Sequence, residues 1–114
     1  MGGVQADMRR AARSKYRNVP TVVEGIRFAS KREAKRYSEL RLLEKAGKIS
    51  GLKLQVAYPL TVNGITVAKY IADFDYRDEH DKYVTEDCKG MRTALYTIKA
   101  KLMKAIHGIT IYET

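Results

Sequence analysis

At 114 residues, 45% hydrophobic and 31% charged, the chain suits one modest core, and it has no apolar run near the ~20 residues that a membrane span needs. Its 22 Lys and Arg against 13 Asp and Glu give a net charge of +9, which favours a polyanionic partner: nucleic acid first, an anionic membrane surface second. A single cysteine, Cys88, excludes an internal disulfide and a cysteine-built zinc cage, and it suits a reducing cytosol.

Residues 1–18 are polar and basic without clear period, so they read as a flexible arm ahead of a single domain over residues 19–114. They lack the apolar segment of a signal peptide. Val22, Val23, Ile26 and Phe28 flank Glu24-Gly25, the pattern of a short hairpin. Ser30 then opens a helix through a capping box, "SKRE", with Glu33 reaching back. Ala34, Tyr37, Leu40, Leu43 and Ala46 supply its apolar stripe, and Gly47 ends it. Two long strands follow, joined at Asn63-Gly64, a strong hairpin signal between β-branched residues. A polar turn leads to a third strand, Tyr83 to Cys88, which Gly90 breaks. A second helix is expected from about Thr93 to His107, with Leu95, Ile98, Leu102 and Ala105 inward and Gly108 just past its end. "ITIY" reads as a last short strand, parallel to the third. The order is α-β-β-β-α-β: a mixed sheet with helices packed on it.

Strand alternation decides which acids can act together. Asp87 and Lys89 share one face of the third strand, Glu86 and Cys88 the other. On the preceding strand Ala68, Tyr70, Ala72, Phe74 and Tyr76 form an apolar face, and Ile71, Asp73 and Asp75 the opposite one. If the loop is Glu79-His80-Asp81, opposed residue numbers sum to 160, which sets Asp73 against Asp87. A one-residue slip would send Asp87 to the other face. Two opposed carboxylates repel each other, unless a divalent cation is held between them. Glu33 continues the buried stripe of the first helix and could be carried toward them; it is equally placed to serve as a helix cap. Lys89 adds a positive donor that could orient or deprotonate a water or stabilise developing negative charge. Such a group suits Mg²⁺-assisted hydrolysis of a phosphate, with surrounding Lys and Arg holding the backbone.

Asp73 … Asp87-Cys88-Lys89 resembles the D…(D/E)-x-K signature of the PD-(D/E)XK nuclease superfamily, whose restriction-endonuclease-like αβββαβ core has the order read above. "FASKREAKRYSEL" and "YIADFDY…EDCKG" are similar to small phage-encoded nucleases that resemble Holliday junction resolvases, over about Lys15 to Tyr112. Ala72 stands where the name-giving proline would be. The resemblance implies that Asp73 and Asp87 are ligands of Mg²⁺ or Mn²⁺, Glu33 a further ligand or water contact, and Lys89 the catalytic lysine. It makes Gln55 a second-shell candidate; Glu86 and Asp75 could support the site or, more simply, face water. It implies an endonuclease acting on branched DNA as a homodimer, without a membrane partner, in a bacterial host's cytoplasm. Lys15, Arg17, Lys31, Arg32, Arg92 and Lys99 are the candidate DNA contacts. Tyr96, sharing a helix face with Arg92 and Lys99, is a candidate for stacking on bases. The alternatives are a nuclease for linear DNA in packaging or degradation, and a DNA-binding module that keeps the fold without the chemistry. His80 and His107 have no partner at metal-ligand spacing.

Overall fold

A computed structural model describes residues 20–89 and 91–114. The expected arm, with Lys15 and Arg17, and Gly90 lie outside the described residues. The chain divides into two units, Met1–Glu39 and Leu40–Thr114.

In the first unit, β1 (Thr21–Val23) and β2 (Ile26–Phe28) pair antiparallel, with Val22 opposite Arg27. Both turn residues, Glu24 and Gly25, have positive φ, 52° and 78°. Helix α1 (Lys31–Lys45) starts here, and the Ser30 hydroxyl accepts from the Glu33 N–H at 3.2 Å, as the capping motif predicts. Phe28 packs on Tyr37 with ring centroids 5.0 Å apart, and the Tyr37 hydroxyl donates to Glu24 at 2.9 Å. Ala34, Tyr37 and Leu40 are buried, but Leu43 and Ala46 are exposed, so the expected stripe is buried only in its first part.

The second unit takes over inside α1. Gly47, at φ 77°, closes the helix: its N–H bonds Glu44 O, and Lys48 N–H bonds Leu43 O, the paired contacts of a Schellman ending. β3 (Ser50–Val62) and β4 (Ile65–Arg77) form the long hairpin. Asn63 and Gly64 both have positive φ, 50° and 81°, which matches the twist of a two-residue hairpin turn. β5 (Tyr83–Asp87) pairs antiparallel with β4, and β6 (Tyr112–Glu113) pairs parallel with β5. The result is a mixed four-stranded sheet in the order β3-β4-β5-β6.

Helix α2 (Ala94–Leu102) is capped by the Thr93 side chain, which accepts from Tyr96 N–H at 3.0 Å. It runs into a π-helical turn, Met103–His107, ended by Gly108 at φ 70°. The helix lies where expected, but its phase does not. Of the expected face, Leu102 packs against the core but Leu95 and Ile98 are 61% and 56% exposed, while Tyr96 and Met103 enter that core with Leu60, Tyr70 and Ala72. Two apolar stripes lie one residue apart on this helix. The buried one carries the larger side chains, and its tyrosine has a hydrogen-bond acceptor waiting on β6.

Candidate functional site

The site begins with a turn. Asp78 N–H bonds Lys82 O at 2.8 Å, and the Asp78 carboxylate accepts from the N–H groups of His80 and Lys82, both at 2.9 Å. These bonds hold the Asp78 carboxyl below the usual carboxylate range, the Lys82 N–H contributing most. Asp81 takes the left-handed conformation that such a turn uses. With the turn fixed, Phe74 faces Glu86 and Asp75 faces Thr85. Continued by one residue, this register sets Asp73 against Asp87, as the sequence predicts.

The carboxylates of Asp73 and Asp87 lie at the end of β5. Asp73, half-buried, accepts from the Cys88 N–H at 2.8 Å, so it sits against the peptide that follows Asp87. Its other oxygen lies 3.5 Å from the Gln55 side-chain amide. Asp87 is buried; it accepts from the Tyr70 hydroxyl at 2.5 Å and has the Lys89 ammonium 3.3 Å from its Oδ1. Burial, then the bond to Asp87 and its charge, with a smaller contribution from Asp73, push the Tyr70 phenol up far beyond its ordinary value. Both aspartates thus act on the same phenol.

The two strand faces are not as simple alternation predicts. Alternation separates Tyr58 and Tyr70 from Asp75 and Asp87. Yet the Tyr58 hydroxyl donates to Asp75, and that of Tyr70 to Asp87. Gln55, with a left-handed φ of 54°, lies between the pairs Leu54–Phe74 and Val56–Ala72, and the register of β3 with β4 is the same on both sides of it.

Glu86 and Asp75 are fully buried, so the expectation that they face water is corrected. Glu86 accepts from the Tyr76 hydroxyl at 2.7 Å and the Thr114 hydroxyl at 2.9 Å. Asp75 Oδ2 accepts from Tyr58 and, at 2.8 Å, from Tyr83, while its Oδ1 is buried without a hydrogen-bond partner. The pairing of Phe74 with Glu86 removes that acid from the Asp73 side, in agreement with the sequence reading.

Lys89 is the best-supported cation of the site. Its ammonium lies 4.2 Å from the centroid of the Tyr96 ring. Tyr96 is buried rather than on a solvated face, and its hydroxyl donates to Glu113 on β6 at 2.7 Å. Burial first, then that bond, raise the Tyr96 phenol well above its ordinary value. Arg92 pairs with the same Glu113 and also lies over the Tyr96 ring, at 5.2 Å. Lys99 is half-buried on α2; Lys31 and Arg32 are exposed in the first turn of α1. Glu33 belongs to the first unit, where its N–H serves the helix cap. His107 contacts Pro59 O at 2.7 Å, next to the Tyr58 ring. Sequence reasoning missed Glu113; its only signal was the parallel pairing that sets it beside Asp87.

Among the described residues no group of three or more His, Cys, Asp or Glu gathers as a metal cage. What the second unit offers is two carboxylates at one strand end. That is a fitting donor set for Mg²⁺, which binds through one or two carboxylates and completes its shell with waters and substrate phosphates. No helix of the described residues is long and apolar enough to cross a membrane.

Residues 13–109 match the family described as "Protein of unknown function (DUF1064)", and the chain belongs to that family. No curated protein and no solved structure matches the chain.

Proposed function

We propose that this member of the DUF1064 family is a metal-dependent DNA endonuclease of the restriction-endonuclease-like type, acting on branched DNA as a homodimer. The observation that carries this reading is the join of Asp73 to Asp87 through the Cys88 N–H, with the Lys89 ammonium against Asp87. The order α1-β3-β4-β5-α2-β6, with β6 parallel to β5, supports the same fold. The net charge of +9 suits a polyanionic substrate.

Asp73 and Asp87 would hold Mg²⁺ or Mn²⁺, which supplies an acidified water and neutralises charge on the scissile phosphate. The chain's own residues do the rest. Tyr70 and the Cys88 N–H each donate to one of the two carboxylates and so restrict their orientation at the strand end. Lys89, 26% exposed, presents its ammonium at that end, where it stabilises negative charge developing on the phosphoryl oxygens. Two symmetric nicks across a junction need two such sites, hence the dimer.

The test is a cleavage panel with Mg²⁺ or Mn²⁺, comparing a four-way junction with its linear arms. The wild type is expected to cut the junction, and Lys89→Ala to leave it intact while still binding it. Equal rates for the two proteins would overturn the site, and no cleavage of any DNA would overturn the activity. Faster cutting of the linear arms would replace the junction with linear DNA as substrate.

A further inference from the structure

We propose that Tyr96 is a positioning residue for Lys89: its ring is the seat that holds the lysine ammonium at the strand end. This rests on the nuclease reading for its catalytic meaning, though the seat itself is a matter of geometry.

Lysine is a poor choice for a fixed charge, because its four-carbon stem has many rotamers and its ammonium is strongly hydrated. Here three contacts restrict it. Its backbone N–H bonds Thr114 O at 3.1 Å, extending the parallel ladder past Asp87. Its ammonium lies 3.3 Å from Asp87 Oδ1 and 4.2 Å from the Tyr96 centroid, so it is held between an anion and an aromatic face. The ring is fixed in turn. It is buried beside Tyr70, at 6.5 Å between centroids, and tied by its hydroxyl to Glu113. Glu113 stands directly across the parallel ladder from Asp87. The short last strand therefore closes a ring of contacts: Asp87 to Lys89, Lys89 to Tyr96, Tyr96 to Glu113, and Glu113 back to Asp87 through the ladder. Arg92 neutralises Glu113 and covers the same ring.

Two measurements test this. In NMR spectra the ε-methylene protons of Lys89 are expected well upfield of those of the other lysines, because they lie over the ring. Tyr96→Leu should return them to the common position, and Tyr96→Phe should keep them shifted. In cleavage kinetics Tyr96→Leu is expected to lose about tenfold or more in kcat with little change in KM, while Tyr96→Phe restores most of that loss. Glu113→Ala, which frees the ring without emptying the core, should give a smaller kcat loss of the same kind. An unshifted Lys89 in the wild type overturns the seat, whatever the protein does to DNA. So does a Tyr96→Leu protein that stays folded and cuts at the wild-type rate while Lys89→Ala is inactive. If the wild type cuts nothing, the nuclease reading falls, and the Lys89 shift alone decides the seat.

Discussion

Asp87 and Glu86 are neighbours on β5, yet their carboxylates meet opposite surroundings. Asp87 has one tyrosine hydroxyl behind it and a lysine in front, and it shares the strand end with the half-buried Asp73. Glu86 is fully buried and satisfied by neutral hydroxyls, Tyr76 on one oxygen and Thr114 on the other. Asp75 is likewise fully buried among hydroxyls, but Tyr58 and Tyr83 both donate to its Oδ2 and its Oδ1 has no hydrogen-bond partner. The difference separates two uses of an acid in one small sheet. A carboxylate ringed by hydroxyls is locked into the core, where each charge-assisted bond contributes about 1.5–3 kcal/mol. Asp73 and Asp87 instead share an edge with a cation, and they are the acids of the proposed metal seat. Tyrosine serves both, and six of the seven tyrosines among the described residues donate to an Asp or Glu: Tyr37, Tyr58, Tyr70, Tyr76, Tyr83 and Tyr96.

Substitution can break this contrast. The largest expected effect is on activity. Asp73→Asn should lower the cleavage rate by at least about a hundredfold, because it removes half of the proposed metal seat. Its stability should stay within about 1 kcal/mol of wild type in urea unfolding, since losing one of two facing like charges offsets the lost hydrogen bonds. Glu86→Ala and Asp75→Ala should behave in the reverse sense. Each is expected to cost about 2–4 kcal/mol in the same unfolding experiment, because buried hydroxyls lose their acceptor and a cavity opens. A stable Glu86→Ala protein, or an Asp73→Asn protein as unstable as Glu86→Ala, would erase the distinction.

Gln55 sharpens the comparison, because its backbone is left-handed in the middle of β3 and its side-chain amide lies beside Asp73. Gln55→Gly should raise stability by about 0.5–1 kcal/mol, since glycine takes this conformation without strain. Cleavage should fall several-fold as Asp73 loses the amide beside it. Rising stability with unchanged cleavage would make Gln55 a structural residue only.

The smallest effect is expected at the turn. Asp78→Ala removes an acceptor from two backbone N–H groups and should slightly loosen the register of β4 and β5, seen as faster amide exchange at Val84 and Glu86. The Asp78 carboxyl titrates lower in the folded chain than unfolded. Its contribution is therefore complete above the ordinary carboxylate range and is lost as pH falls through the lowered value. Asp78→Ala should remove that part of the acid sensitivity; an unchanged acid profile would show that the turn holds without it.

Much of this molecule was legible in the sequence because the relevant signals are local. Asn63-Gly64 and Glu24-Gly25 specify hairpins through the φ values they tolerate. Ser30 and Thr93 mark helix starts, and Gly47 and Gly108 mark helix ends. The turn at Asp78 fixed the register, and with it the meeting of Asp73 and Asp87, because loop length and period-two alternation leave few choices. What only the tertiary structure decided depends on packing between distant segments. The phase of α2 could not be read, because two apolar stripes compete and the choice depends on a core and a β6 acceptor far along the chain. The tyrosine bonds to Asp75 and Asp87 could not be read, because alternation puts these tyrosines and acids on opposite strand faces. The seat of Lys89 could not be read either, since Tyr96 and Glu113 become its neighbours only when β6 pairs with β5. Local rules fixed where the acids lie along the chain, and long-range packing fixed what each acid is bonded to.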